Sequence, residues 1–234
     1  MRNAVVMTAI ALGTMLLQPI DAQDAKASVV GLWLGESRTQ GGLGNWMEFH
    51  ADGTVELGFG ALIGALLDDT YDLEDTTLRL RLFSGKATSA GDPVFESTQK
   101  TVRIDGEHAV VESQWSKDQP VPEVLSPAEQ AAYDRMRQPL RMTRVGPVAP
   151  GASAIAGTWS YEHYTGQTAY ETFTPGGKWY LRVPMRVSHG RYTVTTAAVN
   201  VQLAEQSQTF TREGNVLMSG PADGTHSTYR RAPE

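Results

Sequence analysis

The chain has 234 residues, of which 41% are hydrophobic and 20% charged, so it can build a core and is too apolar for wholesale disorder. Its formal net charge of −6 argues against a nucleic-acid partner, which needs a basic face, and against electrostatic docking on an anionic membrane. It contains no cysteine, which excludes disulfides, thiolate metal sites and the lipidated cysteine of a bacterial lipoprotein.

The first residues have the pattern of a secretory signal. Arg2 precedes an uncharged apolar run over residues 4–17, Pro19 breaks this run, and the small Ala22 offers a cleavage point. The run is shorter than the ~20 residues that a membrane-spanning helix needs. The sequence therefore predicts a signal peptide over residues 1–23 and a periplasmic or secreted protein with no membrane span in its mature form.

An internal repeat is the main feature of the remaining chain. Gly-x-Trp occurs at residues 31–33 and again at 157–159, which is 126 positions later. A Phe-led turn at 49–53 returns at 173–177, 124 positions later, and Tyr71 matches Tyr192. Apolar and polar residues alternate in both copies, which is typical of strands with one buried face. Each copy has about seven or eight such strands, enough for a small closed barrel.

Two segments divide and interrupt these strands. Ser126 and Glu129 form a capping box around Pro127, and Pro139 ends the helix formers that follow, so we expect one short helix near 127–137. The Pro-rich residues 146–151 have the composition of a linker. The predicted organisation is unit 1 over residues 29–145, the linker, and unit 2 over residues 152–234.

These motifs together resemble the lipocalin-like (calycin) β-barrels. The likeness rests on the Gly-x-Trp strand, the Phe-led hairpin, a Gly-x-Tyr element at residues 190–192 and a basic last strand in each copy. It implies an all-β fold of two tandem antiparallel barrels, with a sheet-on-sheet sandwich across both units as the competing architecture. In that family the tryptophan lies beneath an arginine of the last strand. The resemblance thus implies that Trp33 meets Arg141 or Arg144 and that Trp159 meets Arg230 or Arg231.

Motifs for catalysis or metal binding are weak. The five histidines lack metal-site spacing, and the acidic residues 68–75 lack the spacing of an EF-hand. A Ser-x-x-Lys motif at 97–100 lies in a β-type run, where residues three apart face opposite sides. We therefore predict no catalytic residue, metal or cofactor. The apolar residues 58–67 are interpreted as a short helix or loop closing one barrel end, with a docking patch as the alternative.

The inward face of unit 2 is more polar than that of unit 1. Alternation places Tyr161 and His163 on the face of Trp159, and Glu171 on the face of Phe173. Unless Tyr161 and His163 simply lie at a solvated strand end, these groups could form a pocket, because buried polar groups need partners. The candidate ligand-binding residues are Tyr161, His163, Glu171, Trp179 and Tyr192.

Three functions remain open at this point. The favoured one is a non-enzymatic protein that binds a small apolar or amphipathic ligand in an aromatic-lined barrel. The alternative is a structural or interaction module of the cell envelope, an assembly factor or inhibitor, with filled barrels. The less favoured third is an enzyme that uses Glu171 and His163 as acid and base.

Overall fold

The computed structural model describes residues 26–39, 42–64, 69–112, 125–148, 150–195, 198–220 and 227–233; the predicted signal peptide lies outside these ranges. The described residues are mostly β, as predicted, with one helix, α1 (Pro127–Met136). The strands are β1 (Gly31–Arg38), β2 (Leu43–Phe49), β3 (Thr54–Gly64), β4 (Thr70–Glu74), β5 (Thr77–Ala87), β6 (Pro93–Asp105), β7 (His108–Val111), β8 (Leu140–Val145), β9 (Gly157–Glu162), β10 (Thr168–Phe173), β11 (Trp179–Val194), β12 (Ala198–Gln202), β13 (Ser207–Glu213), β14 (Val216–Ser219) and β15 (Ser227–Arg231).

Eight of the strands close into an antiparallel barrel. Its strand order is β1, β2, β3, β11, β12, β13, β14 and β15, and β15 pairs with β1 to complete the circle. Alternate residues point inward and form its apolar core. The buried core residues are Val29, Trp33, Met47, Phe49, Val55, Tyr192, Val199, Val201, Phe210, Leu217 and Tyr229. The predicted closed antiparallel barrel is confirmed in this form.

The barrel combines strands of both sequence units. Strands β1 to β3 come from unit 1, whereas β11 to β15 come from unit 2. The seven remaining strands pair in the order β10, β9, β8, β7, β6, β5 and β4, and β10 pairs with the first half of β11. We call these seven strands, together with the first half of β11, the second strand set. It joins β4 to β8 of unit 1 with β9 to β11 of unit 2. The sequence predicts that each unit closes by itself, but β1 to β3 of unit 1 have exchanged places with β9, β10 and the first half of β11 of unit 2.

Strands β3 and β11 join the two groups. They pair along the whole of β3, from Thr54 opposite Arg191 to Gly64 opposite Tyr180, with a bulge after Pro184. Gly60 lies opposite Pro184, and these two residues are 124 positions apart, the same interval that separates the two hairpins. Equivalent positions of the repeat therefore face each other here, so an approximate twofold axis passes through this pair.

Glycine allows the close contacts on the outer face of β3. A Cβ atom on Gly58 would lie 2.0 Å from the indole of Trp46, and one on Gly60 would lie 2.1 Å from the carbonyl oxygen of Val183. The predicted loop or plug at residues 58–67 is therefore wrong for residues 58–64, which continue β3; residues 65–67 lie outside the described ranges. Residues 58–61 pair with both β2 and β11, and residues 62–64 pair with β11, so the segment belongs to the sheet and does not cap a barrel end.

An apolar cluster with one ion pair lies on the outer face near β3 and β11. The buried cluster residues are Leu34, Trp46, Leu62, Tyr180 and Ala232. Beside them, Arg182 is 7% exposed, donates to Glu48 at 3.1 Å and lies against the rings of Trp46 and Tyr170. Because Glu48 belongs to unit 1 and Arg182 to unit 2, this half-buried ion pair also links the two units.

Both Gly-x-Trp tryptophans make the predicted type of contact, but with exchanged partners. The guanidinium of Arg231 lies 5.9 Å from the ring of Trp33, and that of Arg144 lies 4.1 Å from the ring of Trp159. The expectation that each tryptophan meets an arginine of its own unit is wrong, because β15 pairs with β1 and β8 pairs with β9. The two other predicted arginines do not fill this role. Arg141 is exposed on β8, and Arg230 forms an ion pair with Glu36.

The helix forms as its sequence predicts. The Ser126 side chain accepts from the backbone nitrogen of Glu129, and the Glu129 carboxylate accepts from the backbone nitrogen of Ser126. Tyr133 is its only buried residue, and Arg135 donates to the backbone oxygen of Tyr164 at 3.1 Å. α1 therefore lies against the turn that follows β9. In the part of the chain that the structure describes, no helix is long and apolar enough to cross a membrane.

Candidate functional site

The interior of the second strand set is apolar along most of its length. Trp159, Phe173 and Ala169 are fully buried there, which confirms the inward face predicted for β9 and β10. The remaining buried residues of this interior are Leu78, Leu80, Val102, Ala109, Val111, Leu140, Met142, Ile155, Tyr161, Trp179 and Val183. A polar group inside this cluster has few neighbours that can satisfy it.

Glu171 is the acidic group inside this interior. It is 7% exposed and lies across from Trp159 on β9 and Leu181 on β11. Its Oε1 accepts a hydrogen bond of 2.6 Å from Trp179 Nε1, and its Oε2 has no hydrogen-bond partner among the described residues. Burial raises the pKa of Glu171 above its usual value, and the charge of Lys100 and the Trp179 hydrogen bond oppose this shift.

Tyr161 supplies a hydroxyl in the same region. The side chain is 8% exposed and lies opposite Ala169, two residues before Glu171. Burial raises its pKa well above the usual value, and the nearby Glu171 carboxylate adds to this shift. Within the described ranges its hydroxyl has no hydrogen-bond partner. Tyr161 and Glu171 are thus close enough for the carboxylate to act electrostatically on the hydroxyl.

Lys100 was missed by the sequence analysis. It lies on β6 two residues before the buried Val102 and directly opposite the buried Leu78, so its side chain points to the interior. Its charge acts on Glu171, yet no oxygen of that carboxylate lies within 4.0 Å of its ammonium nitrogen. The alternation of apolar and polar residues along β6 predicts this inward orientation of Lys100. The Ser-x-x-Lys motif, to which Lys100 also belongs, does not.

Two of the five predicted ligand residues lie elsewhere. His163 follows β9 in a turn, where its Nδ1 is 2.9 Å from the hydroxyl of Thr165, and burial lowers its pKa. Tyr192 lines the eight-stranded barrel, where its hydroxyl donates to the backbone oxygen of His50 at 2.9 Å. The structure therefore brings together Tyr161, Glu171 and Trp179, and it adds Lys100.

The arrangement does not contain an acid–base pair of the kind proposed for an enzyme. No hydrogen bond joins His163 to Glu171. The imidazole of His163 lies against the Thr165 hydroxyl, and the carboxylate of Glu171 accepts from Trp179. Within the described ranges, no group of three or more His, Asp or Glu side chains could hold a metal ion. The polar groups of this region are a carboxylate, a hydroxyl, an ammonium and the nitrogen of an indole.

A separate cavity of about 240 Å³ lies on the surface between the two strand groups. Its lining is mostly apolar and includes Leu32, Phe173, Tyr180, Arg231 and Pro233. The guanidinium of Arg231 already donates to the backbone oxygens of Ser28 and Val30, at 2.9 and 2.7 Å. The side chain of Arg231 is thus held by the backbone at the start of β1.

Comparison with known proteins adds no assignment. No family model, no curated protein and no solved structure matches this chain.

Proposed function

We propose that the chain is an exported, non-enzymatic, lipocalin-like binding protein whose site is the interior of the second strand set. The observation that carries this proposal is Glu171, a buried carboxyl group with one hydrogen bond and no ion pair within the described residues. Desolvating such a group is costly unless a partner compensates it, and strongly perturbed buried acids cluster at functional sites. A bound ligand supplies the missing partner.

The proposed architecture is two lipocalin-like barrels that exchange their first three strands. In the eight-stranded barrel, the Tyr192 nitrogen donates to Gly53 O at 3.0 Å; in the second strand set, the Tyr71 nitrogen donates to Gly177 O at 2.9 Å. A bridge between Thr70 and Lys178 extends the latter contact. These matching links support closure of the second strand set by β4 against the start of β11.

Ring contacts repeat in the same way. Tyr192 packs edge-on against Phe49 with centroids 4.9 Å apart, and Tyr71 packs edge-on against Phe173 at 5.0 Å. In each pair the tyrosine belongs to one sequence unit and the phenylalanine to the other. This repetition supports one common barrel plan for both groups, as the resemblance to lipocalin-like proteins implies.

The two barrels have different roles in this proposal. The core of the eight-stranded barrel holds Trp33, Phe49 and Phe210, which are no more than 1% exposed, and its hydroxyl-bearing Tyr192 is satisfied by the backbone. A small barrel filled by its own side chains is a scaffold. The second strand set, whose interior holds the buried Glu171 carboxylate, is the binding half.

A structural or interaction module of the cell envelope is the second candidate. The same filled core favours it, since a barrel without internal space acts through its surface. In this case the chain serves as an assembly factor or inhibitor, and the polar interior of the second strand set has no ligand.

Native mass spectrometry of the full chain purified from its own envelope tests the proposal. We expect a retained small molecule, and we expect Tyr161→Phe to weaken its retention. The matched control is Tyr192→Phe, which removes the same atom from the filled barrel and should retain the ligand. A stoichiometric protein partner without any small molecule supports the interaction module instead, and equal loss of ligand in both variants contradicts the assignment of the site.

A further inference from the structure

We propose that the surface cavity between the two strand groups is a further binding site, which takes a small monocarboxylate with an apolar body. The carboxylate faces Arg231, and the body lies against the apolar lining. This inference goes beyond the proposed function, because the cavity lies outside the interior of the second strand set and Glu171 does not line it.

The walls of the cavity come from both strand groups. Leu32, Arg231 and Pro233 belong to the eight-stranded barrel and the residues that follow it, whereas Phe173 and Tyr180 belong to the second strand set. Ligand pockets form preferentially where two structural units meet. The cavity is therefore a product of the way in which the two groups pack, and neither group lines it alone.

The volume of the cavity sets the size of the ligand. An apolar cavity of about 150 Å³ in a protein holds one benzene molecule. At about 240 Å³, this cavity has room for one ring, or a branched aliphatic group, together with a short chain that ends in a polar group. It is smaller than the pockets of roughly 300–1,000 Å³ that take drug-sized molecules. The ligand is therefore a compact molecule with a single apolar group.

Two glycines, one from each copy of the repeat, form part of the wall. Gly31 and Gly157 have φ angles of +121° and +123°, which residues with a side chain rarely adopt. A Cβ atom on Gly31 would lie 3.4 Å from Arg231 Nη2. The guanidinium thus borders the wall where the glycine leaves out a side chain.

Arg231 gives the cavity its charge. It is the charged residue of the lining, whose other polar side chains are the hydroxyls of Thr172, Thr174 and Tyr180. Among the described residues, no acidic side chain lines the cavity. The guanidinium donates to two backbone oxygens just before β1, at 2.9 and 2.7 Å, so it is held in one position and loses little conformational entropy when an anion binds.

The lining favours a carboxylate over other anions. The planar fork of a guanidinium matches the two oxygens of a carboxylate, and hydroxyl groups can donate to the same oxygens. A phosphate ester carries up to two charges, and one arginine in a mostly apolar lining would leave such a group incompletely neutralised. A single carboxylate on an apolar body therefore fits both the charge and the walls of the cavity.

Nuclear magnetic resonance titrations with matched probes test the inference. 3-Phenylpropionate carries the carboxylate, 3-phenylpropan-1-ol replaces it by a neutral hydroxyl, 3-phenylpropan-1-amine replaces it by a cation, and propionate lacks the ring. At neutral pH we expect 3-phenylpropionate to bind about tenfold more tightly than the alcohol, because a charge-assisted hydrogen bond is about twice as strong as a neutral one. The amine and propionate should bind more weakly still. The backbone signals of Gly31, Gly157 and Ala232 should shift, whereas that of Glu171 should not.

A pair of arginine variants tests the role of the charge. Arg231→Met should abolish the preference for 3-phenylpropionate over the alcohol. The matched control is Arg144→Met, because Arg144 holds Trp159 as Arg231 holds Trp33 but does not line the cavity. This control should keep the preference, and circular dichroism verifies that both variants are folded.

A pair of proline variants tests the cavity itself, even where Arg231→Met does not fold. Pro233→Trp places a large side chain at the rim and should weaken the binding of every probe. Pro150→Trp makes the same change at an exposed position between β8 and β9 and should leave binding unchanged. Tyr161→Phe, in the interior of the second strand set, should also leave it unchanged.

The possible failures are distinct. An alcohol that binds as tightly as 3-phenylpropionate overturns the inference, and so does a preference that survives in Arg231→Met. The peptide acetyl-Gly-Gly-Phe should bind no more tightly than 3-phenylpropionate; binding about tenfold tighter would overturn the small-molecule ligand in favour of the C-terminus of a protein partner.

The proposed function fails or stands separately from this site. If no probe binds, or if the shifted signals centre on Glu171, the inference is wrong while a retained ligand in native mass spectrometry still supports the proposed function. If Pro233→Trp abolishes probe binding but native mass spectrometry finds no retained molecule, the proposed function is wrong and the cavity remains a binding site.

Discussion

Replacing Glu171 by glutamine should change how stability depends on pH. Because burial raises the pKa of Glu171 above its usual 4.5, the folded protein holds this proton more tightly than the unfolded chain does. Protonated Glu171 therefore makes its full contribution to the stability of the folded protein below about pH 4.5. That contribution is lost as the pH rises through the pKa of Glu171 in the folded protein. The amide of glutamine cannot ionise, and its oxygen can still accept the hydrogen bond from Trp179.

The size of the effect follows from the surroundings of the carboxylate. It is 93% buried, taking the 7% exposure of the residue, and only one of its oxygens has a hydrogen bond from the described residues. Leaving a buried polar group incompletely satisfied costs about 1–3 kcal/mol. Between about pH 4 and pH 8, wild type should thus lose about 1–3 kcal/mol of unfolding free energy relative to Glu171→Gln.

Urea denaturation of the ligand-free protein at several pH values measures this difference. The control is Glu162→Gln, which removes an exposed carboxylate from the end of β9 and should run parallel to wild type. A Glu171→Gln curve that also runs parallel to wild type would refute the reasoning, because it would show that the carboxylate is not desolvated in the folded protein.

Two further predictions concern the Gly-x-Trp motifs. The first is a pair of double-mutant cycles measured by urea denaturation. Arg231→Met should couple to Trp33→Phe by about 0.5–2 kcal/mol, and Arg144→Met should show no coupling to Trp33→Phe. The opposite pattern would contradict the exchange of strands. Gly157→Ala should cost about 1–3 kcal/mol because its φ is +123°. The cost should exceed that of Gly31→Ala, because the new Cβ would lie 2.8 Å from Arg144 Nη1, which a hydrogen bond to Ala156 O holds in place, whereas that of residue 31 would lie 3.4 Å from Arg231. Equal unfolding midpoints for the two alanine variants contradict the latter prediction.

Local patterns predicted the elements of this fold well. The alternation around Trp159 and Phe173 identified an inward face, and the capping box at Ser126 located the helix, because both depend on residues close in the chain. The inward position of Glu171 followed from the same alternation. Its isolation from His163 did not, since the end of β9 at residue 162 was not defined by the pattern.

The strand exchange could not be read from the same patterns. Because β1 and β9 are copies of one strand, each offers the same edges and the same Gly-x-Trp motif to the arginine strands β8 and β15. Local preference is therefore equal for both pairings. Long-range pairing of β3 with β11 decides between them. It depends on Gly58 and Gly60, which permit close approach in the structure but favour a loop when the sequence is read locally.

Disulfide trapping tests the exchange of strands most directly, and with it the meeting of Lys100 and Glu171 in one interior. The chain has no cysteine, so any disulfide is an engineered one. Thr143 on β8 lies opposite Ser160 on β9, within the usual reach of a cross-strand pair. If each unit closed by itself, the repeat would instead place Arg230 opposite Ser160. After oxidation and peptide mass spectrometry, the account predicts a disulfide in the double variant Thr143→Cys/Ser160→Cys and none in Arg230→Cys/Ser160→Cys; the reverse result contradicts it.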